Sequence, residues 1–380
     1  FPKWKSQLNI GSKFNWQNVL SSGSYRFNDS LELTFNSMGF SSSLPFDYTE
    51  SNLAGYLEWK QRLGKKFSFT AGVRAEDFHL MGKVEGTELL SKHYLNLFPS
   101  IHTLYRITPD IHFVTSYSRK INMPNYSQFD PNVTGYFDNY TTNTGNSNLK
   151  PNFGHRATAK LTIFDYFQIS VDYNLSNSIN FSEVTADSNS YIMTQTYRTY
   201  NNVQSLSYFF AVPVPFGIFT QGLDFFNHPV DVDQVSFVYL YANNNKTIIP
   251  NYDYVNGNKS WWTFGAYSQV MLPWKLRLNI EYNFTAKGVY QISETTKPIH
   301  ELEVVLSREF LNDKWRVSLS MQDVLNTNET YGRTSYNPMM ISNYTKNDTQ
   351  SIWLKIAYSF GRYEKPSSNE PAIPVPSGAN

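Results

Sequence analysis

Cysteine is absent from all 380 residues. That excludes disulfide scaffolds, cysteine nucleophiles and thiolate metal sites. An excess of either charge is missing too: 32 Lys+Arg against 31 Asp+Glu leave a net charge of +1. The basic surplus that displaces counterions from nucleic acid is therefore not there, and no nucleic-acid partner is expected. Charged residues make up only 17% of the chain, below the usual share of about a quarter. No apolar run approaches the ~20 residues with which a helix spans a bilayer, so a helical membrane protein is excluded. Catalytic signatures are lacking as well: there is no Gly-x-Ser-x-Gly, no Walker loop, no Gly-x-Gly-x-x-Gly and no His-Glu-x-x-His. His79, His93, His102, His112, His155, His228 and His300 are scattered without ligand spacing. We expect no enzyme, no cofactor and no metal. What the chain does have is aromatic: 27 Tyr, 28 Phe and 8 Trp, 17% of the sequence.

The residues alternate with a period of two. Leu276, Leu278, Ile280, Tyr282 and Phe284 share one face, and Lys275, Arg277, Asn279, Glu281 and Asn283 the other. That is a β-strand with an apolar and a wet side. The same alternation places Phe67, Phe69, Ala71 and Val73 against Ser68, Thr70, Gly72 and Arg74, and it recurs at Leu8–Trp16, Phe167–Ser176, Trp315–Gln322 and Ile352–Phe360. About fourteen strands follow from this pattern. They begin near Ser6, Tyr48, Phe67, Leu95, Ile111, Gly154, Phe167, Asn202, Val232, Trp261, Lys275, His300, Trp315 and Gln350.

The connections sort into two kinds. Leu63–Lys66, Thr108–Asp110, Pro273-Trp274 and Asn312–Lys314 are tight; Met81–His93, Lys120–Lys150, Ser182–Tyr191, Asn243–Ser260 and Asn328–Thr349 are long. Alternating short and long links belong to an outer-membrane barrel, with short periplasmic turns and long extracellular loops. Hydrocarbon offers no hydrogen-bond partner, so a β-structure within it must close on itself. Its outward face must be apolar, with aromatics at the headgroup levels. Trp16, Trp59, Trp274, Trp315, Tyr117, Tyr173 and Phe360 lie near strand ends and suit such girdles.

Several stretches then resemble a known family: Tyr117-Ser118-Arg119-Lys120-Ile121-Asn122-Met123-Pro124-Asn125-Tyr126, Phe129-Asp130-Pro131-Asn132 and Gly145-Asn146-Ser147-Asn148-Leu149-Lys150-Pro151. They are similar to the barrel domain of TonB-dependent receptors, most of all to the Bacteroidetes-type outer-membrane β-barrel family. Phe46–Leu57, Ala71–Glu76, Leu97–Ser100, Asp323–Thr327 and the terminal Tyr358-Ser359-Phe360-Gly361 agree in order. The resemblance implies an all-β, antiparallel transmembrane barrel in the bacterial outer membrane. Such barrels have about 22 strands and carry an N-terminal plug that answers to the TonB system. We therefore expect residues 1–361 to be the C-terminal portion of the barrel, with plug and TonB contact supplied from elsewhere. A self-closed barrel of fourteen strands is the other possibility, and direct pairing of Leu8–Trp16 with Ile352–Phe360 would reveal it. Residues 362–380, with Pro366, Pro371, Pro374 and Pro376, read as a flexible periplasmic extension.

Binding candidates concentrate in the long loops: Tyr126, Phe129, Tyr136, Phe137 and Tyr140; Trp261 and Trp262; Tyr331, Arg333 and Tyr336. Aromatic faces of this kind stack on sugars or grip a peptide or protein. Equally, they order the loops on one another. Lys275, Arg277, Glu281, Glu301, Glu303 and Arg316 fall on the wet, lumen-facing side. We expect Glu301 and Glu303 to face Lys275, Arg277 and Arg316 across neighbouring strands rather than to form a catalytic pair. Asp231-Val232-Asp233 reads as a solvated acidic turn before a calcium site, and Asp29-Ser30-Leu31 is a weak match to an O-glycan acceptor. Two functions fit: the wall and ligand-binding loops of an uptake transporter, or a receptor-derived scaffold whose loops hold a surface lipoprotein.

Overall fold

The computed structural model describes residues 6–22, 44–136, 141–164, 167–186, 193–222, 225, 235–250, 259–311, 314–336 and 339–360. The strands are β1 (Ser6–Ser21), β2 (Phe46–Leu63), β3 (Phe67–Val84), β4 (Thr87–Thr108) and β5 (Ile111–Asn122). A helical turn, Tyr126–Phe129, and two short strands follow, β6 (Val133–Tyr136) and β7 (Thr141–Thr144). Then come β8 (Asn152–Ile163), β9 (Phe167–Ala186), β10 (Met193–Pro215), β11 (Phe237–Ile248), β12 (Ser260–Leu272) and β13 (Leu276–Thr285). Short β14 (Gly288–Tyr290) and β15 (Ser293–Thr295) precede β16 (Ile299–Phe310) and β17 (Trp315–Gln322). The chain continues through β18 (Glu329–Tyr336) and β19 (Met339–Lys346) to β20 (Ser351–Tyr358).

Fourteen strands form one continuous antiparallel wall in the order β1-β2-β3-β4-β5-β8-β9-β10-β11-β12-β13-β16-β17-β20. Each pairs with its neighbours along the chain, so the wall is a meander without crossovers. Among the described residues β1 and β20 are not paired with each other. Most strand starts agree with the alternation to within two residues, but β4 opens at Thr87 rather than near Leu95, β10 at Met193 rather than near Asn202, and the ninth wall strand at Phe237. Val232, like Asp231, Asp233, Asp29-Ser30-Leu31 and residues 362–380, lies outside the described residues.

The wall has a greasy and a wet side. Register carries Ile10, Leu57 and Val73 into one row, and Val317 opposite Ile356 into another. Ile10, Leu57, Val73, Leu97, Ile101, Ile169, Leu240, Phe264, Leu319, Leu354 and Ile356 are all exposed on the apolar side. In water such a surface would be severely unfavourable, at roughly 25 cal/mol per Å² of apolar area; against hydrocarbon it costs nothing. All seven aromatics expected in the girdles are exposed. No helix among the described residues is long and apolar enough to cross a membrane.

At one end the strands turn tightly. Gly64 takes a left-handed φ of 66°, and Trp274 and Lys275 take 61° and 59°, in three-residue loops closed by Leu63 opposite Phe67 and Leu272 opposite Leu276. Lys275 therefore belongs to the turn Pro273–Lys275, not to β13 as its alternation suggested. At the other end the strands overrun the membrane. β4 has 22 residues and β10 has 23, against the 9–11 that a tilted strand needs to cross. Met81–His93, expected as a loop, is instead strand up to a turn at Glu85-Gly86, with φ of 50° and 79°. The alternation failed there because the apolar residues change sides. Phe67, Phe69 and Val73 lie on the greasy side of β3, whereas Phe78 and Leu80 above them are buried on the opposite one.

Candidate functional site

The long-loop end carries a folded cap on the wet side of the wall. Its first part is the connection from β5 to β8. Asn125 opens the helical turn: its side chain accepts from the Gln128 backbone N–H at 3.0 Å, and Gln128 Oε1 accepts from the Asn125 N–H at 3.0 Å. This reciprocal capping aims Phe129 at the wall. There Phe129, Leu149, Phe46, Tyr48, Leu80 and Leu90 form the principal buried cluster. Phe129 is 1% exposed and stacks on Tyr48 at 6.1 Å. It is thus an anchor and not a ligand contact, a correction to its reading as a binding residue. Next to it, buried Asp130 accepts from the Asn132 N–H at 3.0 Å and from Asn132 Nδ2 at 2.7 Å. Asn132 Nδ2 also donates to the Leu44 carbonyl at 2.8 Å. The returning segment crosses so closely at Gly145 that a Cβ there would lie 2.4 Å from the Asp130 carbonyl oxygen, so only glycine fits. Then β7 adds in parallel to the tip of β10. Tyr126 remains exposed. Tyr136 closes β6, and Phe137 and Tyr140 lie outside the described residues.

The second part of the cap is a four-stranded sheet, β14-β15-β18-β19. Tyr331 sits beneath the Lys297 ammonium, 3.7 Å from its ring centroid, and packs on Tyr344 at 4.7 Å. Arg333 pairs with Glu294 at 3.5 Å, which Lys259 also reaches at 3.1 Å. Tyr336 ends β18 opposite Met339. A buried carboxylate ties this sheet to the wall. Asp323 accepts from the Thr327 N–H at 2.9 Å, from Thr349 Oγ1 at 2.7 Å and from the Asn328 N–H at 3.3 Å, with Lys346 Nζ at 3.5 Å. Burial pushes its pKa up, but the hydrogen bonds from Thr349, Thr327 and Asn328 and the Lys346 charge outweigh this and hold it below the usual carboxylate range.

Trp261 and Trp262 are adjacent on β12 and therefore point to opposite sides. Trp261 packs on Tyr290 of the cap at 5.4 Å. Trp262 stacks on exposed Phe264 at 5.6 Å and belongs to the greasy side. The two therefore lie on opposite faces of the wall.

On the wet side the register sets Glu281 opposite Glu303 and Glu301 opposite Asn283. Asn283 Nδ2 donates to Glu281 at 3.1 Å, and Tyr241 donates its hydroxyl to Asn283. The cations expected to face these carboxylates are elsewhere. Arg277 lies opposite Ser307, Lys275 is in the turn, and Arg316 pairs with Glu309 at 2.8 Å beside the tight turn. Counting alternation gives a side chain its side of the strand but not its height along it.

Two histidines read as scattered come together. His79 and His93 are partners in register and share Asp77. Counting back from the Glu85-Gly86 turn would set His79 opposite Lys92; the register shift between Gly82 and Lys83 brings His93 there instead, and no period in the sequence announces it.

The sequence profile of the outer membrane protein beta-barrel family matches residues 1–358. Among solved structures, the FrpB iron transporter from Neisseria meningitidis (F5-1 variant) is similar with a TM-score of 0.57 at 13% identity, over 94% of this chain and 53% of that one. BauA, the ferric preacinetobactin receptor from Acinetobacter baumannii, gives 0.53 at 11% identity, over 93% and 51%. The copper transporter OprC gives 0.53 at 7% identity, over 93% and 57%. At such identities the likeness is one of fold. The chain spans about half the length of these structures. No curated protein matches it.

Proposed function

We propose an uptake function for this chain, which belongs to the outer membrane protein beta-barrel family: it supplies the wall and the outer binding surface of a receptor that admits a ligand across the outer membrane. The observation that carries this reading is the asymmetric cap. Among the described residues, one end of the wet face is roofed, by the segment anchored through Phe129 and by the sheet holding Tyr331 and Arg333. A solute reaching the wet face from that side meets the exposed ring of Tyr126 and the Lys297, Tyr331, Arg333 group. Loop length makes this end extracellular. The structural neighbours include an iron transporter, a ferric preacinetobactin receptor and a copper transporter. They support a transport class without choosing a ligand.

The two wall edges, β1 and β20, would expose unpaired backbone to lipid at several kcal/mol per group. In this reading further strands complete the wall, and a plug coupled to a TonB-type system fills the lumen; both come from outside these residues.

The test is accumulation of candidate ligands by cells producing the full protein, with and without a membrane potential. Energy-dependent uptake that drops when Tyr126 and Arg333 are both changed to alanine supports the reading. A full protein that takes up nothing, and whose cap copurifies under a stoichiometric surface lipoprotein, would replace it with the scaffold role.

A further inference from the structure

We propose that Asp77, His79 and His93 bind a borderline divalent transition-metal ion, of the class of Zn2+, which clips β3 to β4 at the outer headgroup level. The site stands on the greasy side of the wall, away from the cap, and does not depend on the uptake reading. Along that side of β3 run Phe67, Phe69, Ala71, Val73 and Ala75, and then, without a break in alternation, Asp77 and His79. Along β4 run Ile101, Pro99, Leu97 and Leu95, and then His93. From Phe67 to Ala75 the apolar stretch covers roughly the 25 Å height of an outer-membrane apolar band. Asp77 and the two histidines begin where it stops.

The geometry is that of a ligand set. His79 and His93 are opposite each other in register, and Asp77 is two residues from His79 on the same side. The imidazole rings lie nearly parallel, 4.2 Å apart with 17° between their planes. Both Nε2 atoms therefore face one carboxylate, His79 at 3.3 Å from Oδ2 and His93 at 2.5 Å from Oδ1. All three donor atoms lie within 4.8 Å of one another, the only such trio among the described residues. Donors around a tetrahedral zinc ion are about 3.4 Å apart, given bonds of about 2.0–2.2 Å. The side chains of His79 and His93 are 56% and 57% exposed, so the rings can close that difference without moving the wall.

The chemistry selects the ion. Two neutral imidazoles and a carboxylate favour a borderline metal, whereas Ca2+ and Mg2+ require oxygen ligands throughout. Asp77 is flanked in register by Leu53 on β2 and Leu95 on β4, which lowers the local dielectric and strengthens the attraction for a cation. On binding, the ion replaces the protons now shared between the rings and the carboxylate. It joins two strands that continue beyond the membrane to the Glu85-Gly86 turn. Its fourth position opens outward to water.

The full protein, purified in detergent and stripped with EDTA, is titrated with ZnCl2 by calorimetry and with CoCl2 by visible absorption. We expect a zinc equivalent that is weakened by about 10- to 100-fold or more in His79→Ala, His93→Ala and Asp77→Asn. The Co2+ band should be lost in the same variants, with no heat from MgCl2. His155→Ala, on the same side but distant, should bind as the wild type does. A variant that loses its β-sheet circular dichroism is replaced by His93→Gln, which keeps the bulk without the metal-binding imidazole. Equal zinc affinity in the wild type and the histidine variants, or a loss in His155→Ala as large as in His93→Ala, overturns the site and leaves a hydrogen-bonded trio only.

Discussion

The lower and upper halves of β2, β3 and β4 obey opposite rules. In the lower half Leu57, Val73 and Ile101 face outward and are exposed; in the upper half Tyr48, Leu80 and Leu90 face the other way and are buried. From Leu57 to Tyr48, from Val73 to Leu80 and from Ile101 to Leu90 the alternation is unbroken, and the register between β3 and β4 shifts beyond these residues, at Gly82/Lys83; what changes is the solvent. Below, hydrocarbon lies outside the wall, so apolar side chains belong there. Above, water lies outside, and the Phe129 segment lies against the wet side, so apolar side chains belong inward. One ribbon can thus carry two hydrophobic surfaces on opposite faces, and the level where they exchange marks the membrane boundary. Asp77 and His79 sit at that level.

Five substitutions test this contrast and the cap above it. Phe129→Ala removes the anchor of the cap and should cost about 3–5 kcal/mol of local stability. Proteolysis between Tyr126 and Lys150 should accelerate while the lower wall stays protected; an unchanged cleavage rate would deny Phe129 its anchoring role. Val73→Arg places a charge against lipid and should destabilise by about 2–4 kcal/mol near the bilayer midplane. Denaturant titration in vesicles, with EDTA present, measures it, and His79→Arg, at the boundary, should cost no more than about 1 kcal/mol. Equal costs at the two positions would erase the boundary.

Asp323→Asn weakens a charge-assisted network and should cost about 1.5–3 kcal/mol, read as faster amide exchange at Thr327 and Asn328. Because the folded-state pKa of Asp323 is depressed, its contribution is complete above the unfolded carboxyl value and is lost as pH falls through the folded one. Protection at Thr327 should therefore fall on acidification below the ordinary carboxylate range in the wild type, and this step should vanish in Asp323→Asn. The smallest effect is that of Arg333→Ala. Its pair with Glu294 is partly exposed, so stability should change by less than about 1 kcal/mol, and any larger change in ligand uptake would mark Arg333 as a contact.

Much of the wall was readable from residue order. The starts at Ser6, Phe67, Ile111, Phe167 and Trp315 coincide with the observed strands, because lipid imposes its demand on every second residue. Legibility ended where that demand ended. Above Asp77 the apolar set changes faces, so the strand resembled a loop. Asn328–Thr349 likewise looked like a long connection and holds the hairpin of β18 and β19. Among the candidates, Arg316 was expected to face Glu301 and Glu303 and pairs with Glu309 instead, because alternation gives a side chain its side but neither its height nor its partner.

Residue order by itself settled that this chain is a β-structure of about fourteen strands with one greasy side, since the requirement is repeated locally along each strand. The folded wall alone decided that Phe129 turns inward onto Tyr48, that Glu281 meets Glu303 rather than a cation, and that His79 and His93 share Asp77. Those meetings depend on register between strands and on how a loop returns to the wall, and contacts across such separations leave no period in the sequence.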